Sequence, residues 1–387
     1  MKRLFAATLA LLLALAASGQ NRFKLGYGPW VTNVTETGFT VLWTTPQPSL
    51  CWVEVAPDDG TTFYAEPRKK YYQTVAGRNV QSDFHSVRID GLEPGHSYRY
   101  RIYGQNVELT KPAHAITYGP RENAWIEPSV KTLDSNAKAC RFTMLNDIHN
   151  KLDQYSALLE GKTPADMDFL LLNGDVVSFA PHRDTVIKYS FLPATKLVRS
   201  VPVVFARGNH ESRGDGFADV PAIFPTPTGE FYYSFRQGPA AFLVLDGGED
   251  KPDDDVEYSG YAHFDEYRAA ELEWLKKAVK DPSFTSAPVK IVLIHIPPRN
   301  HAQAWYTERW IHDNFLPVLN EAGIDAMFCG HIHKYSYNKP GTWDNNFPII
   351  VNSNVERLDV EVTASEIKAR IFDADGKETH SHKIAVK

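Results

Sequence analysis

Cysteine is scarce, with Cys51, Cys140 and Cys329 alone in a chain of 387 residues. An odd, small number leaves at least one thiol unpaired, which excludes a disulfide framework as the source of stability. Cys140 and Cys329 sit in or beside apolar runs, where a free thiol acts as a small core hydrophobe. Positive charge is not in excess either. Lys and Arg number 41 against 47 Asp and Glu, a formal net charge of −6, so the footprint of a general nucleic-acid binder is missing. The chain has no internal repeat and no low-complexity tract, and with 43% hydrophobic and 23% charged residues it is neither disordered nor collagen-like.

Long hydrophobic runs are also missing, with one exception. Lys2 and Arg3 precede an apolar stretch from Leu4 to Ala17, broken only by Thr8 and followed by Ser18, Gly19 and Gln20. The stretch is short for a bilayer span and has the layout of a secretory signal peptide, assigned to residues 1–19. The expectation is an exported protein, periplasmic or extracellular, without a transmembrane segment.

The rest of the chain divides into two rhythms. Residues 22–132 read as short strands between Gly, Pro and Asp turns, for example Gly38 to Thr44, Cys51 to Val55, His85 to Ile89 and Tyr98 to Tyr103. Regular strand spacing without helical stretches predicts a β-sandwich. Residues 138–387 alternate apolar runs with helical patterns. The runs are Phe142 to Leu145, Phe169 to Leu172, Val201 to Ala206, Phe242 to Leu245, Val289 to Ile294 and Ala326 to Cys329. A helix is expected over Tyr267 to Lys280, with Leu272, Leu275 and Val279 on one face, and the tail from Leu358 to Ile371 returns to β pattern. Alternation of this kind predicts an α/β layer architecture with strands buried on both faces. The acidic run Asp253 to Asp255 is read as a solvated loop.

The chemistry lies just beyond the apolar runs, in Asn146-Asp147-Ile148-His149, Asn173-Gly174-Asp175, Arg207-Gly208-Asn209-His210-Glu211, His295-Ile296-Pro297-Pro298 and Gly330-His331-Ile332-His333. Ligands of α/β sheets bind beyond the carboxyl ends of strands. Five of the 14 histidines fall in these five clusters, so chance placement is a poor account. Asp, Asn and His without thiolate suit divalent Mn, Fe or Zn. A bridging carboxylate lets two ions share a site, a clamp suited to phosphoryl displacement, and coordination lowers the pKa of water from about 15.7 towards about 7. No Ser or Cys nucleophile is then required.

The series Asp-x-His, Gly-Asp, Gly-Asn-His-Glu, His, Gly-His-x-His resembles the calcineurin-like metallophosphoesterase superfamily, and the preceding sandwich resembles the N-terminal, fibronectin type III-like domain of purple acid phosphatases. The resemblance implies a four-layer αββα sandwich, two mixed sheets flanked by helices. It implies Asp147, His149, Asp175 and His333 at one metal, with Asp175 bridging to a second held by Asn209, His295 and His331. It implies that His210 stabilises the phosphoryl group and protonates the leaving oxygen, with Glu211 orienting His210. The function implied is hydrolysis of a small phosphate ester, foremost a monoester, by a metal-activated hydroxide. The alternatives are a phosphodiesterase or nucleotide hydrolase and, outside enzymes, a secreted binding protein on a vestigial site.

Two departures bear on the metals. Purple acid phosphatases have Asp-x-Gly where this chain has Asp147-Ile148-His149, and Tyr where it has Ser178. Without that tyrosinate the enzyme is expected to be colourless or weakly coloured. Arg299 is a candidate for binding substrate phosphate through its planar donor fork. Asp246 to Glu249 are read as structural residues of the rim. The sandwich either packs on the C-terminal domain and shapes one wall of the cleft, or binds an extracellular partner.

Overall fold

The structure is a computed structural model describing residues 22–110 and 115–386; the expected export signal lies outside the described residues. None of the described helices is long and apolar enough to cross a membrane.

Two sheets form the C-terminal body. In the first, Val203–Ala206, Phe169–Asn173 and Ala139–Leu145 run parallel, and Arg357–Thr363, Glu366–Phe372 and Glu378–Ala385 extend them antiparallel. In the second, Ala240–Leu245, Val289–Ile294, Ala326–Cys329 and Ile349–Val351 are parallel, with Tyr233–Gln237 and Ser336–Asn338 antiparallel at the edges. The parallel strands are near-continuous apolar runs because both of their faces are covered. Phe169 and Leu171 point into the core between the sheets, while Leu170 and Leu172 pack under the outer helices. Successive side chains leave a strand on opposite faces, so one short run serves two cores. Phe142 anchors the inner core, stacked on Phe169 at 4.9 Å and edge-on to Phe242 and Phe328.

The helix expected over Tyr267 to Lys280 spans Phe264–Ala278. It starts earlier because the Asp253 carboxylate accepts the amides of Phe264 at 2.9 Å and Asp265 at 3.0 Å, capping the helix from a separate loop. The acidic run is therefore not merely a solvated loop. A second helix, Tyr306–Glu321, lies beside the first on the outer face of the second sheet.

In the N-terminal sandwich, the strand Gly38–Pro57 shifts register between Thr44 and Ser49. Its first half pairs with Trp30–Thr35 and its second with Ser97–Thr110, so one strand passes from one layer to the other. The sandwich is fused to the C-terminal body. Trp30–Thr35 pairs in parallel with Val203–Ala206, and the Thr32 hydroxyl donates to the Val203 carbonyl at 2.9 Å. Trp30 is fully buried, stacks on Phe191 at 4.4 Å and donates its indole N–H to the Ile223 carbonyl. Packing on the body is thus the arrangement observed. All three cysteines are free and buried.

Candidate metal centre

The five clusters lie in loops at the carboxyl ends of parallel strands, and the two sheets bring those loops together. Pairing continues past the strand ends: the amide of Asp147 donates to Gly174, and the amide of His149 to Asp175, both at 3.0 Å. Asp147, His149, Asp175, His331 and His333 all adopt left-handed backbone conformations, with φ of 54°, 47°, 54°, 70° and 60°. Such conformations cost of order 1–3 kcal/mol each in residues with side chains and persist where surrounding structure imposes them. Two glycines allow the loops to approach. A Cβ on Gly174 would lie 2.5 Å from the His295 ring, and one on Gly208 would lie 2.3 Å from Asp175 Oδ1.

The donor atoms converge. His333 Nε2 stands 3.2 Å from Asp147 Oδ1 and 3.0 Å from His149 Nε2. His295 Nε2 lies 3.2 Å from Asp175 Oδ2, and the Asn209 and His331 side chains meet at 3.2 Å. Ligand atoms come within 4.8 Å of one another in three groups, Asp147–His149–His333, His149–Asp175–His210 and Asp175–His295–His331. Asp175 belongs to two of them.

Surrounding contacts aim these atoms inward. His295 Nδ1 is 2.7 Å from the Asn173 carbonyl, which can only accept, so Nε2 is the free nitrogen. Asp147 Oδ2 accepts from the Asn146 side chain and the His331 amide, and Asp175 Oδ1 accepts from the His210 amide. The inward atoms Asp147 Oδ1 and His295 Nε2 are buried without a hydrogen-bond partner. A buried polar atom left unpaired is costly; a divalent cation satisfies both, and an O/N donor set without thiolate fits Mn, Fe or Zn.

Electrostatics agree. Burial pushes the His149 imidazole down to about 4 and His331 to about 3, leaving both neutral and able to ligate. Burial also opposes a charge on His295, yet Asp175 and Asp147 lift that imidazole to about 10. For Asp175, burial is outweighed by His295 and His210, which hold the carboxyl well below the usual range. Two buried carboxylates that raise a neighbouring imidazole this far favour positive charge between them.

Glu211 is placed differently from the expectation. Its carboxylate does not orient His210; it turns inward and accepts the amides of Asp175, Val176, Val177 and Gly208 at 2.8 to 3.3 Å. Those turning amides have no strand partner, and an adjacent buried carboxylate is what can accept several at once. His210 is oriented by a main-chain group instead, its Nδ1 lying 2.8 Å from the Ser178 carbonyl.

Arg213 escaped the sequence reading. Its Nη1 lies 3.0 Å from His210 Nε2, and Glu249 holds its guanidinium through two 2.9 Å hydrogen bonds. The one available signal was a cation three residues after His210. Asp250 was missed too; it lines the cleft, and its buried Oδ1 makes no hydrogen bond but lies 3.6 Å from Arg213 Nη2. Arg299 does line the cleft, but its guanidinium is already held by Glu308, with Nε at 2.8 Å. The cleft has a volume of about 280 Å³ and also includes Asn209, His331, His333 and Trp305. Among the described residues, none from the sandwich lines it.

Paired mixed sheets between helix layers, with a His/Asp/Asn cluster across their carboxyl edges, define a metallophosphoesterase, a hydrolase of phosphoric esters. The chain belongs to the calcineurin-like phosphoesterase family, whose sequence profile matches residues 140–335, and residues 29–117 match the N-terminal domain of purple acid phosphatases. It is similar to purple acid phosphatase 23 of Arabidopsis thaliana, 23% identical over 396 residues, 84% of this chain and 79% of that protein. It is also similar to the serine/threonine-protein phosphatase CPPED1 of Danio rerio, 26% identical over 179 residues, 43% of this chain and 54% of that one. Among solved structures, purple acid phosphatase PPD1 from yellow lupin seeds shares the fold, with a TM-score of 0.64 at 14% identity, covering 94% of this chain and 75% of that one.

Proposed function

We propose that this protein is an exported phosphatase that hydrolyses phosphate monoesters at a dinuclear divalent-metal centre. The observation that carries the reading is Asp175 shared between two groups of converging ligand atoms, beside Asp147 Oδ1 and His295 Nε2, which are buried and make no hydrogen bond. Asp147, His149, Asp175 and His333 would hold one ion, and Asp175, Asn209, His295 and His331 the other, with Mn, Fe or Zn as the metal. Bound there, the ions would polarise the phosphoryl group and supply a nucleophile at neutral pH.

The remaining work falls to the chain's own residues. His210 donates Nδ1–H to the Ser178 carbonyl, and Nε2, which accepts from Arg213 Nη1 at 3.0 Å, is the atom that would exchange a proton with the leaving oxygen once that contact gives way to substrate. Arg213, fixed by Glu249, keeps the ring in place. Ser178 contributes a carbonyl to His210 rather than a tyrosinate to a metal, so an iron-loaded form is expected to be colourless or weakly coloured. Monoester preference is supported by the relatives, both phosphatases by name. Export is proposed from the basic start and apolar run of residues 2–17, and cell fractionation with N-terminal sequencing tests it.

The test of activity uses protein stripped of metal and reloaded separately with Mn, Fe or Zn, assayed on an aryl phosphomonoester and an aryl phosphodiester. Metal-dependent turnover of the monoester, absent from Asp175→Ala, is expected. Preference for the diester would replace the monoester reading, and failure to bind metal would overturn the centre itself.

A further inference from the structure

One wall of the cleft is built with more care than a phosphate alone requires. Trp305 lines it and is 49% exposed, an unusual position for a large ring. Its backbone N–H donates to Glu308 Oε2 at 2.8 Å, and the Arg299 Nε donates to Glu308 Oε1 at 2.8 Å. Glu308 is fully buried, so a single carboxylate anchors both cleft residues. The indole is not needed for that anchoring. Trp305 is the N-cap residue of Tyr306–Glu321, but it caps through the main chain, with no side-chain cap hydrogen bond. The Lys251 ammonium lies 5.8 Å from the ring centroid and adds a cation beside the exposed ring.

We propose that Trp305 is a specificity-determining residue that stacks against a planar aromatic group carried by the substrate phosphate, so that aryl or nucleoside monoesters are preferred to alkyl ones. The proposal rests on the phosphatase reading above. A planar ring on an anchored backbone at the mouth of a site offers stacking at little entropic cost, and an aromatic face accepts any flat ring laid against it. Arg299, fixed by the same carboxylate, uses Nε and Nη2 for Glu308 and has Nη1 left to point at a phosphate oxygen or a ring substituent.

The experiment is steady-state kinetics of the metal-loaded enzyme on phenyl phosphate, adenosine 5′-monophosphate and glycerol 2-phosphate, for the native protein, Trp305→Ala and Trp305→Phe. The readout is the ratio of kcat/KM for each ring-bearing ester to that for glycerol 2-phosphate. Trp305→Ala is expected to lower that ratio about tenfold, mainly through KM, and Trp305→Phe to restore most of it. A loss confined to the nucleotide identifies a nucleobase as the partner of the ring, and a loss confined to phenyl phosphate identifies a small aryl group. An unchanged ratio, or equal loss on all three esters, overturns the proposal. If the native enzyme turns over none of them, the phosphatase reading fails instead. Calorimetric binding of adenosine 5′-monophosphate against glycerol 2-phosphate, with and without the indole, then decides the subsite: a native preference for the nucleotide that Trp305→Ala removes supports it, and equal affinities overturn it.

Discussion

The Glu211 carboxylate accepts the main-chain amide of Asp175 at 2.9 Å, and Asp175 in turn accepts the amide of His210 through Oδ1 at 2.9 Å. A buried acid outside the ligand set thus shapes the turn that presents the shared carboxylate, and that carboxylate positions the residue before Glu211 itself. The two strand-end loops fold against each other through this exchange, and disturbing either side of it has a measurable cost.

Glu211→Gln leaves one oxygen to serve amides that now have two, and sets an NH₂ against N–H donors. A loss of about 2–4 kcal/mol is expected, since each buried donor left unpaired costs roughly 1–3 kcal/mol. Chemical denaturation of the metal-free protein measures it; an unchanged midpoint would show that water replaces the carboxylate without penalty.

Gly208→Ala puts a methyl group 2.4 Å from the Asp175 main-chain nitrogen as well as 2.3 Å from Oδ1. Backbone cannot swing aside as a flexible side chain does, so Asp175 must move. Metal affinity is expected to fall about 10–100-fold, the range seen when the supports of metal ligands are disturbed. Titration against a competing chelator reads this directly, and native affinity in the variant would contradict the placement of the two loops.

His210→Ala and His295→Ala should differ in kind. The first is expected to lower turnover by about 10²–10⁴-fold with metal content kept, as for a lost proton donor; the second should lose metal. Elemental analysis beside kinetics separates them. Because His210 also lies within reach of His149 and Asp175, metal loss in His210→Ala would reassign it as a ligand.

Trp30→Ala tests the fusion of the two units. The indole is buried, stacked on Phe191 and hydrogen-bonded to Ile223, so its removal is expected to cost about 3–5 kcal/mol. Unfolding should remain a single transition lowered for both units, followed by active-site loss and total fluorescence. Two separated transitions would mean the sandwich folds on its own.

His85 makes the sandwich sensitive to acid. Buried between strands, with Nε2 beside Thr45 and Cys51, its imidazole is pushed by burial down to about 4. The unfolded chain, with an ordinary value of about 6.5, binds the proton more readily, so stability is full above about pH 6.5 and is lost as pH falls towards 4. The loss is on the order of 1–3 kcal/mol. His85→Phe should flatten this limb of Tm against pH; an identical slope in the variant would falsify the assignment to His85.

The residue types that meet at the strand ends were legible in the chain, because the fold gathers whatever follows each parallel strand at one edge. Apolar runs such as Phe169 to Leu172 read as buried strands, and the Asp and His residues after them had to lie at one edge once the strands were parallel. The start of the helix at Phe264 was not legible, since its cap, Asp253, lies eleven residues before it in a loop read as solvated. Glu211 was misplaced for a related reason. Beside a working imidazole in sequence, it points away from that ring in space, because unpaired amides of a loop some 35 residues distant attract it more.

By itself, then, the sequence determined the layer architecture and the identity of the residues gathered at the strand ends, both of which come from local periodicity and residue chemistry. The tertiary structure decided which of their atoms are left without a hydrogen bond, that Arg213 sits against His210 and that one buried glutamate holds both Arg299 and Trp305. It also decided that Thr32 joins the sandwich to Val203 in a continuous sheet. These depend on contacts between segments separated along the chain, whose meeting is set by packing of the whole molecule and leaves no periodic mark in either segment.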